Sequence, residues 1–344
     1  MSSLQKSAAR MRRQATILGA AAALAAACAG AQAQTAAPTT AQSWPTRPLT
    51  MVVPFAPGGA VDVMGRILAA GLSEVLGHQV IIDNVGGAGG QTGSYRVAKA
   101  APDGYEMVLG SVGTHAQSQS LYKKPLYNAA TDFAPVALIA ELPLIVVARK
   151  SLPANDLPGF IAYAKMNQAK MQYGSAGVGS ADHLTCVLLN ATIGIDITHV
   201  PYRGGQPAMQ DLIAGRIDYV CNIITTVLPE IEAGLIKPIA ITTRERSPLL
   251  PDLASADEQG LKGFDAYTWD ALFLPKGAPD SIVRRLNAAV TQVLNTRSVA
   301  ERLKAIGASI MPAERRTPEY LGKFVPSEIE KWAGPIKASG ASVD

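Results

Sequence analysis

Leu49-Thr50-Met51-Val52-Val53-Pro54-Phe55-Ala56-Pro57-Gly58-Gly59 reads as a strand running directly into a glycine turn. Leu49 to Phe55 carries no charge and lacks polar–apolar alternation, as expected of a strand covered on both faces. Val61, Met64, Leu68, Leu72 and Val75 then recur at spacings of three and four. That is a helix with one apolar stripe, and Gly77 ends it. Outward from this unit, Gln79 to Asp83 is a second strand and Gly86-Gly87-Ala88-Gly89-Gly90 a second glycine loop. Thr92 to Ala100 is a second helix and Tyr105 to Leu109 a third strand. Strand, glycine loop and helix, twice over, predict a parallel sheet with crossover helices.

The same order returns downstream. Met171 to Gly174 is a short strand, Ser175-Ala176-Gly177-Val178-Gly179-Ser180 a glycine loop, and Asp182 to Thr192 a helix. Ile197 to Val200, the loop Tyr202-Arg203-Gly204-Gly205, the helix Pro207 to Ala214 and the strand Ile217 to Asn222 complete the repeat. Ala271 to Pro275 is one more apolar strand. Ala278-Pro279-Asp280-Ser281 opens a helix with Ile282, Val283, Leu286, Val290, Val293 and Leu294 on one stripe. A last helix runs from Thr317 towards Trp332, and Pro326 is expected to kink or split it. These tail helices have no sheet of their own, so they are expected to fold back on the first block. The expected division is therefore 47–148 plus 271–344 as domain 1 and 149–270 as domain 2. The chain would cross between them near Val147–Lys150 and Trp269–Leu274.

Composition agrees with two packed domains. Of 344 residues, 48% are apolar and 17% charged, enough for real cores and too apolar for disorder. Residues 1–33 read as a secretory leader: Arg10, Arg12 and Arg13, an alanine-rich run from Ala15 to Ala29, then Ala31-Gln32-Ala33 as a small-x-small cleavage pattern. Residues 34–46 are a lead-in segment. Removing Lys6, Arg10, Arg12 and Arg13 leaves 27 of the 31 basic residues against 27 acidic ones, and a near-neutral protein is no dedicated nucleic-acid binder. Cys186 and Cys221 remain. Both lie in apolar contexts and read as buried thiols, although an exported protein permits them to pair. The four histidines are scattered, no CxxC is present, and no metal site is expected.

Loops at the carboxyl ends of parallel strands are where open α/β sheets bind ligands. A helix start there offers unpaired N–H groups and a partial positive charge, both suited to an anion. Four such loops carry one cation between them, Arg203, so a small carboxylate held by main-chain donors fits better than a phosphate. No nucleotide cofactor is indicated: GxxxxGK[ST] is absent, and Thr92 stands where a dinucleotide fingerprint needs glycine. A hydrolase would have to use Ser111 or Ser175. Leu109 and Tyr173 occupy the first glycine of G-x-S-x-G in each case, and no nucleophile is matched to His183 or His199.

Trp44-Pro45-Thr46-Arg47-Pro48, Val53-Pro54-Phe55-Ala56-Pro57-Gly58-Gly59 with Asp62, and Asp83-Asn84 before the second glycine loop resemble the solute receptors of tripartite tricarboxylate transporters, the Bordetella uptake gene family. So do Ala101-Pro102-Asp103-Gly104-Tyr105, Asp132-Phe133-Ala134-Pro135-Val136, Tyr173-Gly174-Ser175 through His183-Leu184, and His199-Val200-Pro201-Tyr202-Arg203-Gly204-Gly205. Late in the chain, Glu330-Lys331-Trp332 adds to the likeness. The resemblance implies a two-domain type II periplasmic-binding-protein fold that closes like a Venus flytrap. It also implies a monomer without catalytic activity, located in the periplasm, that binds a small organic acid and delivers it to a two-subunit membrane permease. A sensory binding protein, and after it a periplasmic hydrolase, are the alternatives.

The ligand-binding residues implied by the resemblance are Phe55, Ala56, Gly58, Gly59 and Asp62 in the first domain. Those in the second are Ser175, Gly177, Gly179 and Ser180, with Tyr202 and Gly204 beside them. Asp62 either caps its helix or holds water at the ligand. Ser111 and His115 either touch the variable part of the ligand or belong to a solvated loop. Arg203 is either a carboxylate partner or a rim charge. Asn222 departs from the family's usual aspartate, which leans the site towards amine-free acids, including aromatic mono- or dicarboxylates.

Overall fold

The computed structural model describes Trp44–Val343, so the expected leader (1–33) and most of the lead-in segment lie outside the described residues. β1 (Leu49–Val53) pairs in parallel with β2 (Val80–Asn84) on one side and β3 (Glu106–Ser111) on the other. The crossover helices are α1 (Ala60–Leu76) and α2 (Gln91–Ala98). α1 stops where Gly77 turns left-handed (φ 70°) and donates its N–H to the Ser73 carbonyl. After β3, a π-helical turn at Gly113–Gln117 runs into a single turn, α3 (Ser118–Leu121).

The longest strand, β4 (Phe133–Arg149), belongs to two sets of partners. Phe133 to Pro143 pairs antiparallel with β9 (Tyr267–Pro275), which also pairs with β3. From Leu144 onwards β4 pairs instead with β7 (Tyr219–Ile223) and β8 (Ile236–Ile241). The exchange falls at Pro143–Leu144, and Thr242 pins it there. Its N–H donates to the Leu144 carbonyl at 3.0 Å, and its Oγ1 lies between that carbonyl and the Ala266 carbonyl, at 3.0 and 2.7 Å. The sequence reading assigns no element to 133–149. The segment is a long apolar run interrupted by prolines, and periodicity alone does not distinguish a buried strand of this kind from a buried helix.

The second set repeats the first. Here α4 (Leu157–Asn167) precedes β5 (Gln172–Ser175), α5 (Ala181–Ile193), β6 (Thr198–Pro201) and α6 (Gly205–Ile213), and α7 (Ile224–Glu232) follows β7. β5 pairs in parallel with β6 and β7, so the order β6-β5-β7 mirrors β2-β1-β3. The second core gathers Ile145 and Val147 of β4, Met209 and Leu212 of α6, and Val227 of α7.

The tail packs on the first strand set. α8 (Asp280–Asn295) docks through the Asn287 side chain, which donates to the Val136 carbonyl of β4 at 2.8 Å. After it come α9 (Arg297–Ala305), β10 (Ser309–Ile310) on the other edge of β4, and α10 (Pro318–Ala338). α10 is one continuous helix, so Pro326 does not split it. Leu321, Val325, Trp332 and Ile336 remain buried on one stripe across the proline. Trp269 Nε1 donates to the buried Glu328 at 2.9 Å and anchors the same stretch. This packing outweighs the single N–H bond that proline removes.

Cys186 and Cys221 are not the free thiols expected. They form a disulfide, with Cα atoms 5.4 Å apart, that ties α5 to β7. Their apolar contexts report burial, and burial is common to both states of a cysteine. With the cysteines 35 positions apart in the chain, loop-closure entropy gives the bond about 4 kcal/mol of stability. Denaturant unfolding with and without reductant is expected to differ by about that amount, and coincident curves would show that the bond contributes nothing.

Candidate functional site

Loops after strands of both sets converge on a small cavity. It is lined by Phe55, Gly59, Ala60, Val61 and Ser111 from the first set, and by Ala176, Ser180, Ala181, Asp182, Gly205, Asn222, Ile223 and Thr226 from the second. Each contributing helix presents its first turn. Gly59 precedes α1, Ser180 caps α5, Gly205 opens α6, and Ile223 precedes α7. The first N–H groups of a helix have no partner within it, and each N-terminus carries roughly half a positive charge. No lysine or arginine is among the lining residues. Positive potential at the cavity therefore comes from its main chain, and Asp182 is the one acidic residue in its lining. It encloses about 20 Å³, room for one or two water molecules, so the two loop sets are closed upon each other.

That closure is made by bare backbone. The Ala56 N–H donates to the Arg203 carbonyl at 3.0 Å. A Cβ on Gly204 would lie 3.0 Å from both the N and Cβ of Ala56. Gly89, left-handed at φ 60°, passes so close to the Val178 carbonyl that no side chain fits between them. The Tyr122 hydroxyl lies within reach of the Ala88 and Val178 carbonyls, at 3.3 and 3.0 Å. The second glycine loop, Gly86 to Gly90, thus closes the site and does not line it.

Of the residues picked from the sequence, Phe55, Gly59, Ser111, Ser180 and Asn222 face the cavity. The others surround it. Ala56, Gly177, Gly179 and Gly204 lie along the closing surface, and Arg203 is exposed at its edge. Tyr202 holds Asp211 through its hydroxyl at 2.7 Å. Gly58 donates its N–H to Asp62 at 2.9 Å. The Asp62 carboxylate also receives Arg66 Nε and Asn84 Nδ2, each at 2.9 Å, and is thereby committed to holding the loop before α1. Burial alone would raise this carboxyl. The bonds from Arg66, Gly58 and Asn84 outweigh burial and hold its pKa below the ordinary value.

His115 is neither at the cavity nor in a solvated loop. It is fully buried and stacked on Phe273, with ring centroids 4.1 Å apart. Burial pushes its pKa down to about 3, so it is a neutral core residue. Ser175 has the nucleophile's partner that the sequence did not reveal, since His199 Nε2 lies 2.7 Å from its Oγ. Ser175 is buried and His199 half-buried, neither lines the cavity, and the same Oγ accepts the Gly177 N–H, so the pair shapes the glycine loop.

The sequence reading missed Asp182 and Thr226 as lining residues. Asp182 has a sequence signal, being an acidic residue in the first turn of a helix that leaves a glycine loop. Thr226 has none, because its place depends on where α7 is packed.

The pattern of the tripartite tricarboxylate transporter family receptor matches residues 64–341. The solved structure of the periplasmic binding protein BugD is 37% identical, covering 87% of this chain and 99% of that one, with a TM-score of 0.84. MatC from Rhodopseudomonas palustris, solved with malate, is 40% identical over 85% of this chain and all of its own, with a TM-score of 0.83. The R. palustris protein Rpa4515, solved with adipate, is 36% identical over 87% and 99%, again at 0.83. The architecture is accordingly the α/β, two-domain Venus-flytrap fold of periplasmic binding proteins.

Replacing Asp62 with alanine removes three hydrogen bonds to a buried carboxylate and is expected to cost about 2–4 kcal/mol in denaturant unfolding. Because the folded pKa lies below the unfolded value near 3.9, this contribution is complete above about pH 4. It is lost as pH falls through the folded pKa, so the gap between Asp62→Asn and the native chain should narrow in acid. A gap that is constant with pH would contradict the assignment.

Proposed function

Because this chain belongs to the tripartite tricarboxylate transporter receptor family, we propose that it is a periplasmic receptor that binds a small organic carboxylate between its two lobes and delivers it to a two-subunit membrane permease. The observation that carries this reading is the convergence of four helix starts on a cavity that no lysine or arginine lines. Charge-assisted hydrogen bonds to main-chain N–H groups contribute roughly 1.5–3 kcal/mol each. Four or five, less ordering and closure costs, reach the ~8 kcal/mol of a micromolar binder. Malate in MatC and adipate in Rpa4515 support the ligand class.

The lobes are 47–148 with 271–344, and 149–270. The change of partners along β4 and the return of the chain to β9 support this division. A cavity of about 20 Å³ admits no dicarboxylate, so the lobes have to part further than they do here both to admit the ligand and to hold it. The receptor acts as a monomer and performs no chemistry; the buried Ser175 hydroxyl, off the cavity and bonded to His199 and the Gly177 N–H, supports the latter. Asn222, neutral at the cavity wall, fits amine-free acids.

Thermal unfolding across a panel of organic acids tests the reading. An acid at about 100 times its Kd adds about 2.7 kcal/mol of stability, whereas a panel without effect would sink it. Gly204→Ala tests the closure. Position 204 is already extended (φ 169°), so the added methyl strains only the contact with Ala56. Overpacking of about 1–3 kcal/mol should weaken binding 5- to 150-fold in calorimetry, while Gly334→Ala, which meets nothing, should not change it.

A further inference from the structure

Two residues that line the cavity each carry a buried side-chain oxygen without a partner, Asp182 Oδ2 and Thr226 Oγ1. Asp182 is 2% exposed and Thr226 5%, so bulk water does not satisfy them. They stand among main-chain donors suited to an acid, and neither is needed to hold a carboxylate. An ionised aspartate only accepts hydrogen bonds, whereas a threonine hydroxyl both donates and accepts. A ligand hydroxyl has the matching inventory, one proton to give and lone pairs to receive. A methylene would leave both atoms unpaired. An ammonium would satisfy Asp182 but offer nothing to the Thr226 proton.

Resting on the carboxylate reading above, we infer that Asp182 and Thr226 form a subsite that selects a hydroxyl on the acid, Asp182 Oδ2 accepting its proton and Thr226 Oγ1 donating to its oxygen. The structure thus assigns the ligand to the hydroxy acids. Asn222 is compatible with this, since its Oδ1 already takes the Ile223 N–H at 2.8 Å and does not compete for the hydroxyl proton. Burial pushes the Asp182 carboxyl up to about 7, against the N–H groups of Ala176 and Asp182 itself. Measurement at pH 8.5 therefore finds it ionised.

The test is calorimetric titration of the purified protein at pH 8.5 with two matched sets: succinate, malate and aspartate, then adipate, 2-hydroxyadipate and 2-aminoadipate. In at least one set the hydroxy acid is expected to bind roughly tenfold or more tighter than both its deoxy and amino counterparts. Asp182→Ala should bring the hydroxy-to-deoxy ratio towards one, because the hydroxy acid loses more. Thr226→Val, which keeps the side-chain shape, should reduce the same ratio and serves if Asp182→Ala folds poorly. Equal affinities within both sets, tighter amino acids, or equal losses for hydroxy and deoxy acids in both variants would overturn the subsite while leaving a carboxylate receptor standing. Absence of binding by all six would overturn both.

Discussion

Peptide N–H groups that find no partner within their own helix are the constraint on which this structure depends. The first turns of α1, α5, α6 and α7 all open onto one cavity, and a buried donor left unpaired costs as much as a lost hydrogen bond. Four helix starts facing each other across a closed gap would also repel, because each carries partial positive charge. An anion between them relieves both costs, which is why ligand and closure belong to the same event. Arginine or lysine in this place would answer the ligand's charge. They would also add long side chains to a space that two loop sets already fill.

Closure in turn depends on backbone approaching backbone. Gly89 and Gly204 are required for different reasons. At Gly89 both the left-handed φ and the proximity of Val178 exclude a side chain, whereas at Gly204 the backbone is ordinary and only Ala56 stands in the way. The Asp62 carboxylate ties Gly58 of the loop before α1 to Arg66 of α1 and Asn84 of β2, and the Ser175–His199 pair holds the loop before α5. Both sets of polar contacts lie just outside the cavity, where they keep the main chain rigid without competing for the ligand.

The two strand sets communicate through β4. Pro143 cannot donate to a ladder, and Thr242 takes up the Leu144 carbonyl, so the strand changes partners there with its polar groups met. The tail helices, anchored by Trp269 to Glu328 and by Asn287 to Val136, cover the first part of the same strand. Movement between the lobes therefore has to bend this ribbon while the packing on either side of it stays intact.

Local pattern determined the repeated strand–glycine–helix units and the α/β class they build, because burial period and turn chemistry are set by neighbouring residues, while the resemblance to a family rested on particular motifs such as Val53 to Gly59 and His199 to Gly205. It also placed Phe55, Gly59, Ser111, Ser180 and Asn222 near the ends of strands, where a ligand site was expected. Tertiary structure decided what those ends face. It put His115 into an aromatic core, bonded Cys186 to Cys221, kept α10 whole across Pro326, and brought Asp182 and Thr226 into the lining of one cavity. Each of these outcomes rests on contact between segments far apart in the chain, and sequence spacing does not encode the distance between such segments in space.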